Sequence, residues 1–383
     1  MEMKPFKIAI PEQQLHDLSN RLKQVRWPSR FSEEPWALGT DHSFLKRLVD
    51  YWSSEYNWRE QEARLNRFPQ YIENVDGFDI HFVHVRGEGV SSRPMLLTHG
   101  WPGSFVEMLE LIPYLTTPSL YGGQAEDAFD VIIPSLPGFA FSSKPTQPGV
   151  GSKYVATLWA KLMDRLGYER YFVQGGDIGA GVSTWLAFIY PERVRGLHLN
   201  YIPGSYRPPL TQNTPSMSKE ERTYLDSVAE WSEREGAYSA LHRTKPETLA
   251  FALSDSPAGL ASWMLEKFRG WSDCKGNIES SFSLDHILTN ISIYWFTNTI
   301  ASSMRIYTEG GKMPLHFTEG QRITVPTGVS VFPKELPMPP QSWVERVYHV
   351  TYWEEADKGG HFAAMEQPKL LAEHLHRFIH SIN

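Results

Sequence analysis

The chain has 383 residues, 41% of them hydrophobic and 13% aromatic, with a formal net charge of −7. That is enough apolar material for a large core, and the acidic balance offers no basic surface for nucleic acid or an anionic membrane. A single cysteine, Cys274, excludes an internal disulfide and fits a reducing compartment.

The first residues, MEMKPFKIAIPEQQLHDLSNRLKQ, hold no uninterrupted apolar run. Neither a secretory signal nor a membrane anchor is expected there, and a soluble, cytoplasmic protein is anticipated. After Ile10-Pro11, Leu15, Leu18 and Leu22 recur at near-helical spacing until Trp27-Pro28. A second helix over 44–56 carries Leu45, Leu48, Trp52 and Tyr56 on one face. Residues 71–75 and 80–85 flank Asp76-Gly77 and predict a hairpin. Residues 1–90 are therefore expected to form an N-terminal arm leading into the first core strands.

From residue 95 the pattern becomes strand, turn, helix. Met95-Leu96-Leu97-Thr98 leads into His99-Gly100-Trp101-Pro102-Gly103-Ser104, and Val131-Ile132-Ile133 into Pro134-Ser135-Leu136-Pro137-Gly138. Further strands are expected over 171–174 and 194–199. Such alternation predicts an α/β fold with a mostly parallel central sheet, its functional residues at the carboxyl ends of the strands. After Pro203 helical patterns dominate, as over 220–231, 247–253 and 260–271. Strand patterns resume at Ile323-Thr324-Val325, Val329-Ser330-Val331 and 347–352. Residues 205–315 are thus expected to be a helical lid inserted between two core segments, 91–204 and 316–383. No repeat or low-complexity tract interrupts the chain.

Between the third core strand and its helix stands Gly175-Gly176-Asp177-Ile178-Gly179. An Asp at such a turn is ordinarily a helix cap. The pattern small-x-Asp-x-small, however, has the spacing of a nucleophile elbow, whose tight turn tolerates no bulk two positions away and holds its central side chain clear of the sheet. It matches no phosphate-binding glycine motif.

Two residues further along the chain give the elbow weight. Glu335, in Phe332-Pro333-Lys334-Glu335, comes after a predicted strand, and His361, in Gly359-Gly360-His361-Phe362, after the last one. The order nucleophile, acid, histidine is that of α/β-hydrolases. Glu354, Glu355 and Asp357 are rival acids, and Glu335 is preferred because it leaves a different strand at the same sheet edge. Backbone N–H groups of Trp101 and Ile178 would complete an oxyanion hole. His376 and His380, at i, i+4 on the last helix, lack the HExxH pattern and are expected on a solvated face. No metal or cofactor is expected.

An aspartate nucleophile restricts the chemistry. A serine attacking saturated carbon would leave an ether that water does not readily cleave. A carboxylate leaves an ester, which histidine-activated water can attack. The substrate class is then an epoxide or an alkyl halide. An epoxide oxygen also needs a weak acid as it leaves, and Tyr238 and Tyr307 in the helical segment are candidates. A haloalkane dehalogenase is the nearest alternative, although Ile178 stands where such enzymes often place a Trp. A catalytically silent α/β-hydrolase fold that binds ligands is another. Trp263, Phe268 and Trp271 hint at an apolar substrate, or simply pack the insert.

These motifs together resemble the microsomal-type epoxide hydrolases of the α/β-hydrolase superfamily, particularly soluble members without a membrane anchor. The likeness includes Trp58-Arg59, Leu65-Asn66 and Phe68-Pro69 in the arm, the His99–Ser104 and Ser135–Gly138 segments, the elbow, and the stretches around Glu335 and His361. The resemblance implies Asp177 as nucleophile, His361 as base, Glu335 as its partner, and Tyr307 and Tyr238 as ring-opening acids. Some relatives carry Asp at the position of Glu335, and either carboxylate can orient a histidine. The resemblance also implies an arm that wraps the core and braces the lid, no cofactor, and a homodimer.

Overall fold

The computed structural model describes residues 3–30, 34–89, 93–209 and 216–382. Strand β1 (Lys4–Phe6) precedes helices α1 (Glu12–Lys23), α2 (His42–Ser54) and α3 (Trp58–Leu65). The apolar stripe read from the sequence is the buried one: Leu18 and Leu22 on α1, Leu48 and Trp52 on α2. Asp41 caps α2, accepting the Phe44 N–H at 2.8 Å. Helix α3 is not distinguished by the sequence pattern, since its eight residues are too few to show a period. The hairpin is present as β2 (Gln70–Val75) and β3 (Phe78–Val85), with Asp76 and Gly77 at positive φ.

The core continues with β4 (Arg93–Thr98), α4 (Ile112–Thr116), β5 (Phe129–Pro134), α5 (Ser152–Arg165), β6 (Tyr171–Gly175), α6 (Asp177–Ile189) and β7 (Val194–Leu199). Then come six helices: α7 (Lys219–Glu235), α8 (Ala237–Thr244), α9 (Pro246–Asp255), α10 (Pro257–Trp271), α11 (Leu284–Thr297) and α12 (Ile300–Lys312). The chain ends with β8 (Ile323–Val331), α13 (Gln341–Val344), β9 (Tyr348–Glu355), α14 (Ala363–Glu366) and α15 (Pro368–Ser381).

Among the described residues the strands form one nine-stranded sheet in the order β1-β2-β3-β5-β4-β6-β7-β8-β9. The first three are antiparallel to their neighbours, and β4 to β9 pair in parallel. Parallel strands are buried on both faces, which is why β5 and β6 are buried throughout rather than alternating. Two short strand patterns in the sequence, 323–325 and 329–331, are one strand. Its register shifts around Pro326 and Gly328, where a missing N–H and a missing side chain disturb the ladder without ending it. The expected boundary at 90–91 lies outside the described residues.

The arm is tied to the helical insert at several points. Arg21 reaches Asp255 at 2.9 Å, Tyr51 donates to Asp285 at 2.8 Å, and Tyr56 meets Thr289 at 3.1 Å. His376 departs from expectation. Its Nε2 lies 3.3 Å from the Tyr114 carbonyl and its ring packs on Phe129, so α15 turns this residue toward the core, while His380 remains exposed beside Asp127.

Candidate active site

The site is built at the carboxyl ends of β4, β6, β8 and β9, where successive loops leave one edge of the sheet. Asp177 occupies the sharp turn from β6 to α6 with φ at 45°, a left-handed conformation rare for a side-chain-bearing residue. The elbow presses directly on its neighbour strand. A Cβ on Gly179 would lie 1.9 Å from the Thr98 carbonyl oxygen, so only glycine permits the approach. Asp177 and Ile178 are half-buried within an otherwise buried run from Tyr171 to Ala187, so the turn opens onto space above the sheet.

The three predicted triad residues come together. His361 Nε2 is 3.4 Å from Asp177 Oδ2, and its Nδ1 is 2.5 Å from Glu335 Oε1. The Glu335 and His361 side chains are 1% and 2% exposed, so this pair is dry. Burial disfavours the imidazolium, yet the two carboxylates, through charge and hydrogen bonds, hold His361 well above the ordinary histidine range. The rival acid Glu354 instead pairs with Arg377 and approaches His374.

The other carboxylate oxygen of Asp177 accepts the Trp101 N–H at 2.8 Å. The second predicted donor, the Ile178 N–H, belongs to the first turn of α6 and has no acceptor within that helix. The loop carrying Trp101 is held from α11. Asn290 Nδ2 donates to the Pro102 carbonyl at 2.7 Å, its Oδ1 accepts from Ser104 Oγ at 2.7 Å, and Tyr294 Oη donates to the Gly103 carbonyl at 2.7 Å.

Tyr238 and Tyr307 descend from α8 and α12 onto this loop. The Tyr238 ring stacks on Trp101 at 5.3 Å, and Tyr307 meets both rings edge-on, at 5.8 Å and 6.0 Å. Both phenols are pushed up, chiefly by burial, and both feel the Asp177 charge. The hydroxyls influence each other's ionisation, but buried Tyr307 Oη has no partner at hydrogen-bond geometry. His242 joins this aromatic cluster, 4.9 Å from the Tyr307 ring, and burial depresses it to about 3. Trp271 spans the two halves, with its ring 5.1 Å from both Tyr238 and His361.

Glu107 escapes sequence reasoning. It is 8% exposed, close enough to His361, Asp177 and Glu335 to feel all three, and burial raises it to about 8. The sequence gives it no more weight than Glu110, the other acid in Phe105–Leu111, which is not among the buried residues of that segment.

An elbow above a parallel sheet, a histidine–carboxylate pair and a donor loop after an inner strand define an α/β-hydrolase. A model of the alpha/beta hydrolase fold matches residues 93–248, and one of the epoxide hydrolase N terminus matches residues 3–108. A Stigmatella aurantiaca protein described as a candidate epoxide hydrolase is 49% identical over 97% of this chain and 83% of its own. Epoxide hydrolase 1 of Oryctolagus cuniculus is 36% identical over 98% and 88%. The solved Aspergillus niger epoxide hydrolase superposes with a TM-score of 0.86 at 31% identity, over 100% of this chain and 97% of that one. The chain belongs to the epoxide hydrolase family. It is a hydrolase that acts on epoxides.

Proposed function

We propose that this enzyme converts an apolar epoxide and water to a vicinal diol in two steps, through an ester on Asp177. In the first, an Asp177 oxygen attacks a ring carbon and the C–O bond of the ring breaks. Tyr307 and Tyr238 donate the proton that the leaving oxygen needs. In the second, His361 Nε2 takes a proton from water as the water oxygen adds to the ester carbonyl. The negative charge on that carbonyl oxygen faces the Trp101 and Ile178 N–H groups. Collapse breaks the bond between the Asp177 carbonyl carbon and the diol oxygen, which takes a proton, and restores the carboxylate.

The observation that carries this reading is Asp177 between two partners, His361 at 3.4 Å on one oxygen and the Trp101 N–H at 2.8 Å on the other. The raised His361 fits the order of events. While Asp177 is ionised, two anions favour the imidazolium. Esterification removes one of them, so His361 gives up its proton more readily at the stage that needs a base. The charge balance agrees, since the tyrosinate left by ring opening can take back a proton as the imidazolium loses one. The helical insert serves as the lid, and its aromatic wall suits an apolar substituent. A cytoplasmic homodimer, checked by light scattering, completes the reading.

A single turnover in heavy-oxygen water tests it. The first diol should carry light oxygen from Asp177, and heavy oxygen in that product would sink the covalent route. Asp177→Asn, verified free of deamidation, should lose at least about a thousandfold in diol formation.

A further inference from the structure

His361 stands on a four-residue, glycine-rich turn, Gly359–Phe362, that is buried, with the Phe362 ring stacked on Phe268 at 4.5 Å. On one side the Gly359 carbonyl accepts the Lys334 N–H of the Glu335 loop at 3.1 Å, and on the other the turn is bonded to the end of α10. The His361 N–H donates to the Trp271 carbonyl at 2.9 Å, which satisfies one of the carbonyls that α10 leaves without an intrahelical partner. The Gly359 N–H donates to Asp273 Oδ2 at 3.1 Å. The two segments touch so closely that a Cβ on Gly360 would lie 2.6 Å from the Trp271 oxygen and 3.0 Å from the Asp273 nitrogen.

One carboxylate closes this junction. Glu366 Oε1 accepts the N–H of Phe362, the residue after His361, at 3.1 Å. Its Oε2 accepts the N–H of Asp273, two residues beyond Trp271, at 2.7 Å. Capping the short helix α14 would need only the first bond. The second reaches across to the helical insert, so both oxygens are committed and the side chain works as a clamp. Burial raises Glu366 to about 7, and the groups that act on its charge are these two N–H donors, Glu335 and His361.

We propose that Glu366 is a positioning residue for the ester-hydrolysis step, clamping the His361 turn to the end of α10. The inference rests on the two-step reading above. His361 takes no proton during ring opening, so a slackened turn leaves that step nearly intact. Hydrolysis needs Nε2 within reach of both water and the Asp177 ester, and a displacement of about an ångström there is enough to slow it strongly.

Glu366→Gln is the test. The amide has the shape of the carboxylate but only one acceptor, so one of the two N–H groups faces an NH2. In quenched-flow single turnovers with styrene oxide, the rate of alkyl-enzyme formation should stay within about threefold of the parent. Its hydrolysis should slow by about tenfold or more, so that ester accumulates and is seen by mass spectrometry of the intact chain. Glu366→Asp, which keeps the charge but is one methylene too short to reach both N–H donors, should show the same selective delay if Glu366→Gln does not fold. Equal losses in both steps, or no loss in a folded variant, would overturn the assignment. If the parent forms no ester, the two-step reading fails and this inference falls with it. If the parent forms one and neither variant prolongs it, the role of Glu366 alone is refuted.

Discussion

The two halves of the site are made differently. The half on the sheet is polar and linked by directed contacts: a hydrogen bond between Glu335 and His361, an ion-pair approach of His361 to Asp177 at 3.4 Å, and a hydrogen bond from the Trp101 N–H to Asp177. The half from the insert is aromatic and linked by ring contacts: Tyr238 on Trp101, Tyr307 against both, Trp271 between Tyr238 and His361. Directed bonds fix where a proton goes. Ring contacts fix where a hydroxyl sits while leaving it free to engage a ligand, and buried, unpartnered Tyr307 Oη has that freedom. The sheet half thus suits the step that moves protons through a fixed chain, and the insert half the step that must accept a substrate.

The sharpest way to break this division is His361→Gln. It should stop ester hydrolysis while ring opening continues, so one equivalent of epoxide is consumed, alkyl-enzyme persists, and steady-state diol falls by about a thousandfold or more. Simultaneous loss of both steps would show that the halves are not separable. The insert half is probed by Tyr307→Phe and Tyr238→Phe. Each should slow alkyl-enzyme formation by about tenfold or more, and the pair together far more, because one phenol can partly serve for the other. A double variant with normal ring opening would remove the tyrosines from the chemistry.

The smallest effect concerns Glu107, which lies beside the polar half without joining its chain of bonds. Its folded-state value, about 8, is above that of an ordinary carboxyl, so between pH 4.5 and 8 the folded protein holds a proton that the unfolded chain has lost. Stability should therefore fall as pH rises through that window. Glu107→Gln should flatten this dependence and stabilise the fold more at pH 8 than at pH 5, by an amount on the order of a few kcal/mol at most, read from denaturant unfolding at the two pH values. A parallel shift at both values would show that the carboxyl is not titrating.

The same division explains what can be read from the chain. The elbow is legible because its requirement is local: the residues two positions from Asp177 must be small, and Gly175 and Gly179 are. The partners Glu335 and His361 can be found because strand ends in a parallel sheet share an edge, so order along the chain becomes proximity. The tyrosines can be named but not placed, since helical spacing says which face is apolar and not what it meets. Asn290, Tyr294 and Glu366 are invisible. Apart from Ser104 Oγ, their partners are backbone groups of Pro102, Gly103, Phe362 and Asp273, mostly far off in sequence, and no residue pattern marks a backbone atom. The continuous strand β8 reads as two because Pro326 and Gly328 look like punctuation, and flanking strands on both sides overrule them.

The clamp from α11 bears on how the enzyme can be produced. Asn290 opens the acceptor motif Asn290-Ile291-Ser292, yet its amide nitrogen is bonded to the Pro102 carbonyl inside the protein. In a eukaryotic secretion host, an oligosaccharide attached there during translocation would occupy the space of that bond and keep the Trp101 loop from seating. Secreted material carrying such a modification should be inactive, and Asn290→Gln would avoid the sugar while losing part of the clamp. Bacterial cytosolic expression is free of that conflict.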